Sequence, residues 1–356
     1  MQGNNRFILM SLPSNTTKVL SSLAARSLNI MLTLALTPLY ISYLGMGSYG
    51  LIGVLVLVQS IAMLLEFGLP LVLTRSISKL RATPKFEEKI SKLFKSFEII
   101  FYLFALLSLS IGVAILWINP TLIHSSSLPD SIVFTSLILI FLQASFRLPL
   151  IIYQSVLTGF EKIVDLSLFS AVFIMIRLGG SAVLLVFFSI DIVQFFLYQL
   201  VVLIAEVIYA RRLCWNISGL NIKTSFSFKY AYSEIKFIKV SFLVTLLGVF
   251  LAQFDRFILT TTLSLEEFGM YSLVALFGSA ITVLGYPIGS VSFPAFSKSV
   301  QSQNFQKLAG DIEQFLNIKF VLILPIGLFA VVYVKELIPF YIGSNMSTKF
   351  IDILPI

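Results

Sequence analysis

The chain has 356 residues, of which 58% are hydrophobic and 12% charged, with a mean hydropathy of +0.97 and a net charge of +8. Soluble domains carry about 25% charged residues, so a water-soluble protein is excluded and a bilayer is the natural solvent. A single cysteine, Cys214, excludes an intramolecular disulfide or a cysteine-built cluster, and a single histidine, His124, excludes a histidine-built metal or catalytic site.

A spanning helix needs about 20 mostly apolar residues. Residues 1–18 hold Asn4, Asn5, Arg6, Asn15 and Lys18 with no sustained apolar run, so they do not read as a cleavable signal. In chain order, spans are expected at 19–43, 49–74, 97–118, 131–157, 166–189, 192–210, 237–262, 268–293 and 317–334. A tenth is expected to begin near residue 348, shortly before the chain ends at Ile356. The expected fold class is all-α: a polytopic membrane protein built from two helical bundles. The expected division is a six-helix lobe over 1–215 and an incomplete second lobe of about four spans over 216–356.

Lys and Arg set the orientation. With a cytoplasmic N-terminus, nineteen of them fall on the inner side, including the run from Arg75 to Lys95 and the group from Arg211 to Lys239. Only Lys335 and Lys349 fall on the outer side. The basic loops are thereby explained without a nucleic-acid partner.

A repeat recurs at an offset of 219 residues: Leu44, Gly50, Ser78 and Lys79 return as Leu263, Gly269, Ser297 and Lys298. Gly68 and Pro70 in the first copy fall opposite Gly285, Pro287 and Gly289 in the second, which marks both breaks as candidate hinges. Six spans separate the copies, so both enter the bilayer from the same side. Two lobes related by an axis along the membrane normal follow.

Polar residues inside the spans recur at helical spacing. In the first span Arg26, Asn29, Thr33, Thr37 and Tyr40 form one stripe. The fourth carries Gln143 and Arg147, the fifth Arg177, and the seventh Gln253, Arg256 and Thr260. Polar groups facing lipid are costly, so such stripes imply a shared wet cavity. The four arginines fall at graded depths from the inner to the outer half of the bilayer. Each costs roughly 2.5–3.5 kcal/mol at the bilayer centre unless relieved. A guanidinium presents a planar fork suited to phosphate oxygens, which points to an anionic, phosphate-bearing cargo. The alternatives are structural: Arg26 snorkelling to the surface, Arg147 pairing with Glu161 or Asp165, Arg177 pairing with Glu206, and Arg256 neutralising Asp255. Glu66 and Asp255 are candidates for binding a coupling H⁺ or Na⁺, with a counter-ion role as the alternative. No other cofactor is implied.

The run from Pro38 through Leu44-Gly45-Met46-Gly47-Ser48-Tyr49-Gly50-Leu51, with Glu66-Phe67-Gly68-Leu69 and Thr74-Arg75, resembles the opening of Wzx-type O-antigen and polysaccharide-unit flippases. These share a superfamily with MATE multidrug exporters. Asp255-Arg256-Phe257-Ile258-Leu259 and Phe268-Gly269-Met270-Tyr271-Ser272 resemble the matching segment of that family's second half. The resemblance implies two six-helix lobes, a central cationic cavity and an undecaprenyl-diphosphate-linked oligosaccharide as cargo. It further implies alternating access in the bacterial cytoplasmic membrane and an association with the polysaccharide polymerase machinery. About ten expected spans depart from the family's usual twelve. A multidrug exporter of the same fold is the main alternative. A membrane glycosyltransferase or polymerase is a lesser one, because the longest outer loop, 119–130, offers only Asp130 and His124 for acid–base chemistry.

Overall fold

A computed structural model describes residues 14–81, 86–119, 123, 125, 127–217, 235–283, 305–333, 336, 337, 340 and 341. His124, Gly285, Pro287, Gly289, Ser297, Lys298 and the expected tenth span lie outside them. Every regular element among the described residues is helical, and eight helices there are long and apolar enough to cross a membrane.

α1 is Ser14–Leu44 and α2 is Met46–Ala62, continued by a 3₁₀ turn over Met63–Glu66. α3 follows over Leu69–Leu80, so the single span expected at 49–74 is in fact broken. The break lies at two consecutive left-handed residues, Phe67 (φ 51°) and Gly68 (φ 69°). Glycine takes that conformation freely, whereas Phe67 bears a strain of roughly 1–2 kcal/mol. Pro70 then sits in the first turn of α3, where its missing N–H costs nothing.

α4, Phe86–Ile118, begins eleven residues before the expected span and runs for 33 residues, about 50 Å. α5 is Asp130–Gly159. α6 (Ile163–Ile174) and α7 (Gly180–Phe188) make up the next span, joined through a π turn over Met175–Gly179. α8 is Ile192–Ile217, α9 Ile235–Thr262, α10 Leu265–Val283 and α11 Phe305–Val332.

Two compact units divide the chain: residues 1–42 with 270–356, and Tyr43–Gly269. In the first, the Tyr341 hydroxyl donates to the Leu34 carbonyl of α1, and its ring packs edge-on against Phe277 at 4.9 Å. The second is organised around α5, which packs on α2, α3, α4, α6 and α8. Its core joins Val72 and Ile77 of α3, Phe94, Phe97 and Phe101 of α4, Tyr153 and Val156 of α5, and Val207 and Ala210 of α8. Leu103 and Leu106 of α4 and Val201 of α8 are exposed on the same helices, as are Val183 and Phe187 of α7. That is the pattern of a bundle whose solvent is hydrocarbon.

At the end of this unit away from Lys89 and Lys95, the two copies of the repeat touch reciprocally. A methyl group built on Gly50 would lie 2.1 Å from the Leu265 carbonyl oxygen, and one on Gly269 would lie 2.6 Å from that of Met46. Met46 and Leu265 are themselves related by the 219-residue offset. Such mutual contact, i to j and j to i, is the pattern that a two-fold relation produces. Ser125 and Ser127 seal the same place. Ser125 Oγ and Ser127 N donate to Glu266 Oε1 at 2.9 and 3.0 Å, and Gly47 leaves the room that Ser127 fills.

Candidate substrate and ion site

Inside the Tyr43–Gly269 unit, four charged residues from four elements converge. Glu66 ends the 3₁₀ turn below the broken corner and is only 6% exposed. Arg147 lies on α5, Arg177 in the π turn, and Glu206, 4% exposed, on α8. Arg177 Nη1 lies 3.6 Å from Glu206 Oε2. Arg147 is half-buried and close enough to interact electrostatically with Arg177, Glu206 and Glu66. One oxygen of each carboxylate, Glu66 Oε1 and Glu206 Oε2, is buried with no hydrogen-bond partner. Two guanidinium and two carboxylate groups thus share a low-dielectric region with spare acceptor capacity.

The π turn is a local consequence of sequence. Its carbonyls lose part of the regular helical ladder, and the Tyr198 hydroxyl of α8 donates to Ile176 O at 2.7 Å. Only glycine at 180 leaves room, since a methyl group there would lie 1.9 Å from that hydroxyl. Arg177 is therefore carried on a widened turn that α8 pins in place.

Several expected site residues stand elsewhere. The expected partners of Arg147 are corrected: Glu161 lies 3.6 Å from Arg81 and Asp165 lies 3.9 Å from Lys162. Arg147 instead interacts with Glu66, at the end of the 3₁₀ turn that follows α2, and with Glu206 on α8. Arg177 takes the ion-paired alternative with Glu206. Gln143 is corrected from a cavity residue to a packing residue. It is buried and donates to Phe196 O at 3.1 Å, tying α5 to α8. Arg256 Nη1 bonds Gln253 Oε1 at 3.3 Å on its own helix, while Asp255 lies exposed on a different face of α9. Arg26 and Asn29 are exposed on α1, in the other compact unit.

A second cluster escaped the sequence reading. Glu98 of α4, 2% exposed, accepts hydrogen bonds from Lys95 Nζ (3.0 Å), Arg211 Nε (2.8 Å) and the Tyr153 hydroxyl (3.0 Å). The Tyr102 and Tyr153 hydroxyls are hydrogen-bonded at 3.0 Å. Lys95 and Arg211 belong, by sequence, to the basic loops. Both cations instead belong to helices that extend well past the apolar stretch.

At the opposite end, burial would push the Glu266 carboxyl up. Hydrogen bonds from Ser127 Oγ, its own backbone N–H, Ser125 Oγ and the Ser127 N–H outweigh that and hold it down at about 2. It is a fixed anion at the first turn of α10, where the helix dipole also favours negative charge.

Comparison with known proteins places this geometry. The chain matches the family described as polysaccharide biosynthesis protein over residues 16–300. No curated protein matches it. Among solved structures it is similar to an outward-facing multidrug-resistance MATE transporter of the MOP superfamily, with TM-score 0.59 and 11% identity over 98% of this chain and 80% of that one. It is also similar to a MOP-superfamily transporter from Pyrococcus furiosus, noted for a binding pocket of reversed polarity. That match has TM-score 0.58 and 12% identity over 98% of this chain and 78% of that one. At such identity the structures establish the fold, and the family match establishes the kinship. With its membrane-spanning helices, its MATE-like fold and the match over residues 16–300, the chain belongs to the polysaccharide biosynthesis protein family, as the Wzx-like resemblance of its opening motifs implies.

Proposed function

We propose that this protein is a flippase that carries a lipid-diphosphate-linked oligosaccharide from the inner to the outer leaflet of the bacterial cytoplasmic membrane by alternating access. The observation that carries the reading is the buried group of Arg147, Arg177, Glu66 and Glu206 inside a membrane-spanning bundle. Four charges are rarely kept in hydrocarbon without a use. The two guanidinium groups offer paired donors to phosphate oxygens, and the carboxylates are the resident competitors. Cargo and Glu206 would thus be alternative partners of Arg177. A cation taken up by Glu66, H⁺ or Na⁺, would cancel its pull on Arg147 and raise the positive field offered to a phosphate.

The oligosaccharide would cross through the wet interior with its lipid tail in the bilayer. Gly68 and Pro70 would act as the elbow, and Arg26 and Arg256 would make further contacts along the route. The exported unit would then reach a polymerase.

The test is a strain deleted for this protein and complemented by variants. Arg177→Ala should insert normally yet leave lipid-linked repeat units on the inner leaflet. Full export by that variant rejects the cargo-binding role. The second reading, a drug/cation antiporter, is favoured by the two buried carboxylates, which suit a cationic substrate. It predicts drug efflux that Glu206→Gln abolishes and no effect of deletion on surface polysaccharide.

A further inference from the structure

α4 and α8 lean on α5 from two sides while their backbones come close at few points, leaving a furrow floored by α5. At the end carrying Lys89 and Lys95, the furrow deepens into a cavity of about 490 Å³. Glu98 and Tyr153 are almost fully buried beneath it. The Glu98 carboxylate takes one hydrogen bond from Lys95, one from Arg211 Nε and one from Tyr153, and so fixes two cations in position. Its bond to Arg211 uses Nε, which leaves the two terminal nitrogens of that guanidinium to the cavity. The Arg211 side chain is 39% exposed. Arg212, on the rim, is exposed. Two cations thus flank one carboxylate that already accepts three hydrogen bonds, and a third cation stands on the rim. An anion fits this balance, and a bidentate guanidinium suits a phosphate best.

Tyr102, whose hydroxyl is bonded to that of Tyr153, and the apolar Ile99, Val207 and Ile208 complete the wall of the cavity. Beyond it, exposed Leu103, Leu106 and Leu107 on α4 and Val201 and Leu197 on α8 continue towards the middle of the span. A cationic pocket at one end with a hydrocarbon-lined furrow leading away has the shape of an amphiphile. Free phosphate would use only the first part. Basic pockets between spanning helices near the membrane surface suit anionic lipid head groups.

We propose that the α4–α8 furrow binds an anionic phospholipid, its phosphate held by Lys95, Arg211 and Arg212 and its acyl chains lying along the exposed leucines. The site shares no residue with the Arg147–Arg177 group, so it concerns a resident lipid rather than the transported one.

The experiment is native mass spectrometry of the detergent-purified full chain, titrated with phosphatidylglycerol or phosphatidylcholine, with and without inorganic phosphate as competitor. Phosphatidylglycerol should bind in preference to phosphatidylcholine, resist displacement by phosphate, and weaken roughly tenfold in Arg212→Gln, whose exposed side chain is dispensable for folding. Lys95→Gln should weaken it similarly. A double variant, Glu98→Gln with Arg211→Gln, removes one anion and one cation together, leaves the net charge unchanged, and should likewise weaken phosphatidylglycerol binding. Equal binding of the two lipids, wild-type affinity in Arg212→Gln, or displacement by inorganic phosphate alone would each overturn the proposal.

Discussion

Gly50 and Gly269, equivalent positions of the two repeat copies, lie against one another. A methyl group on Gly269 would stand 3.0 Å from the Gly50 amide nitrogen, and one on Gly50 would meet the Leu265 carbonyl oxygen at 2.1 Å. Two helices can approach this closely only without side chains between them. The first turns of α2 and α10, with Ser125, Ser127 and Glu266, form one seam.

Gly50→Ala and Gly269→Ala should each lower the thermal midpoint in detergent. Alanine in place of a helical glycine normally stabilises by about 1 kcal/mol; here, overpacking of about 1–3 kcal/mol opposes it. The double variant should cost less than the two singles together, because helices already pushed apart accommodate the second methyl group. Additive losses would argue against a shared contact.

Glu266 supplies a pH-dependent element to the seam. Its folded value of about 2 lies below the ordinary 4.5, so the stabilisation is complete above about pH 4.5 and drains away as pH falls through about 2. Unfolding midpoints of wild type and Glu266→Gln should therefore differ above pH 4.5 and converge towards pH 2. Because much of the side chain meets solvent, the difference is small. A gap that widens on acidification contradicts this assignment.

Arg177 and Glu206 should show coupling in a double-mutant cycle. Removing either partner alone leaves a buried charge, at a cost of about 3–5 kcal/mol. Arg177→Met with Glu206→Gln should recover a good part of that in unfolding midpoint while export stays lost. Recovery of export as well would show that the pair serves stability only.

Tyr198→Phe deletes a single hydrogen bond to the π turn and should cost about 0.5–1.5 kcal/mol. Gly180→Ala forces the ring itself away and should cost more, with a larger loss of export because Arg177 shifts. Equal effects of the two would detach the turn from α8.

Glu98→Ala should be among the most damaging single changes, since it takes the carboxylate from both Lys95 and Arg211 and leaves the Tyr153 hydroxyl with Tyr102 alone. A loss of about 3–5 kcal/mol is expected, against a milder effect of Glu98→Gln, both read from denaturation in detergent. If Glu98→Gln is as stable as wild type, the charge of Glu98 contributes nothing.

The eight long apolar helices among the described residues were legible in order, because about twenty apolar residues in a row admit few readings. The 219-residue offset was legible too, and it led to the Gly50–Gly269 contact. The course of the second span was partly legible: Gly68 and Pro70 announce a break, but the left-handed Phe67 does not follow from a phenylalanine in sequence. The cluster was harder. Arg147 and Arg177 stand out as cations in apolar runs, yet they lie 59 and 29 residues from their shared partner Glu206, and only packing on α5 brings them together. Gln143 has the spacing of a cavity residue because the same face of α5 that carries Arg147 also meets α8. Glu98 was hidden by the length rule. A twenty-residue window drawn on α4 leaves Lys95 outside, so a buried ion network reads as the edge of a loop.

α5 touches α2, α3, α4, α6 and α8, so it is the spine on which its unit hangs. Peeling one peripheral helix away would leave the others still seated, whereas disturbing α5 loosens five interfaces at once. Amide protons of α5 should therefore be the last to exchange with deuterium, and those of its neighbours should open together rather than one by one.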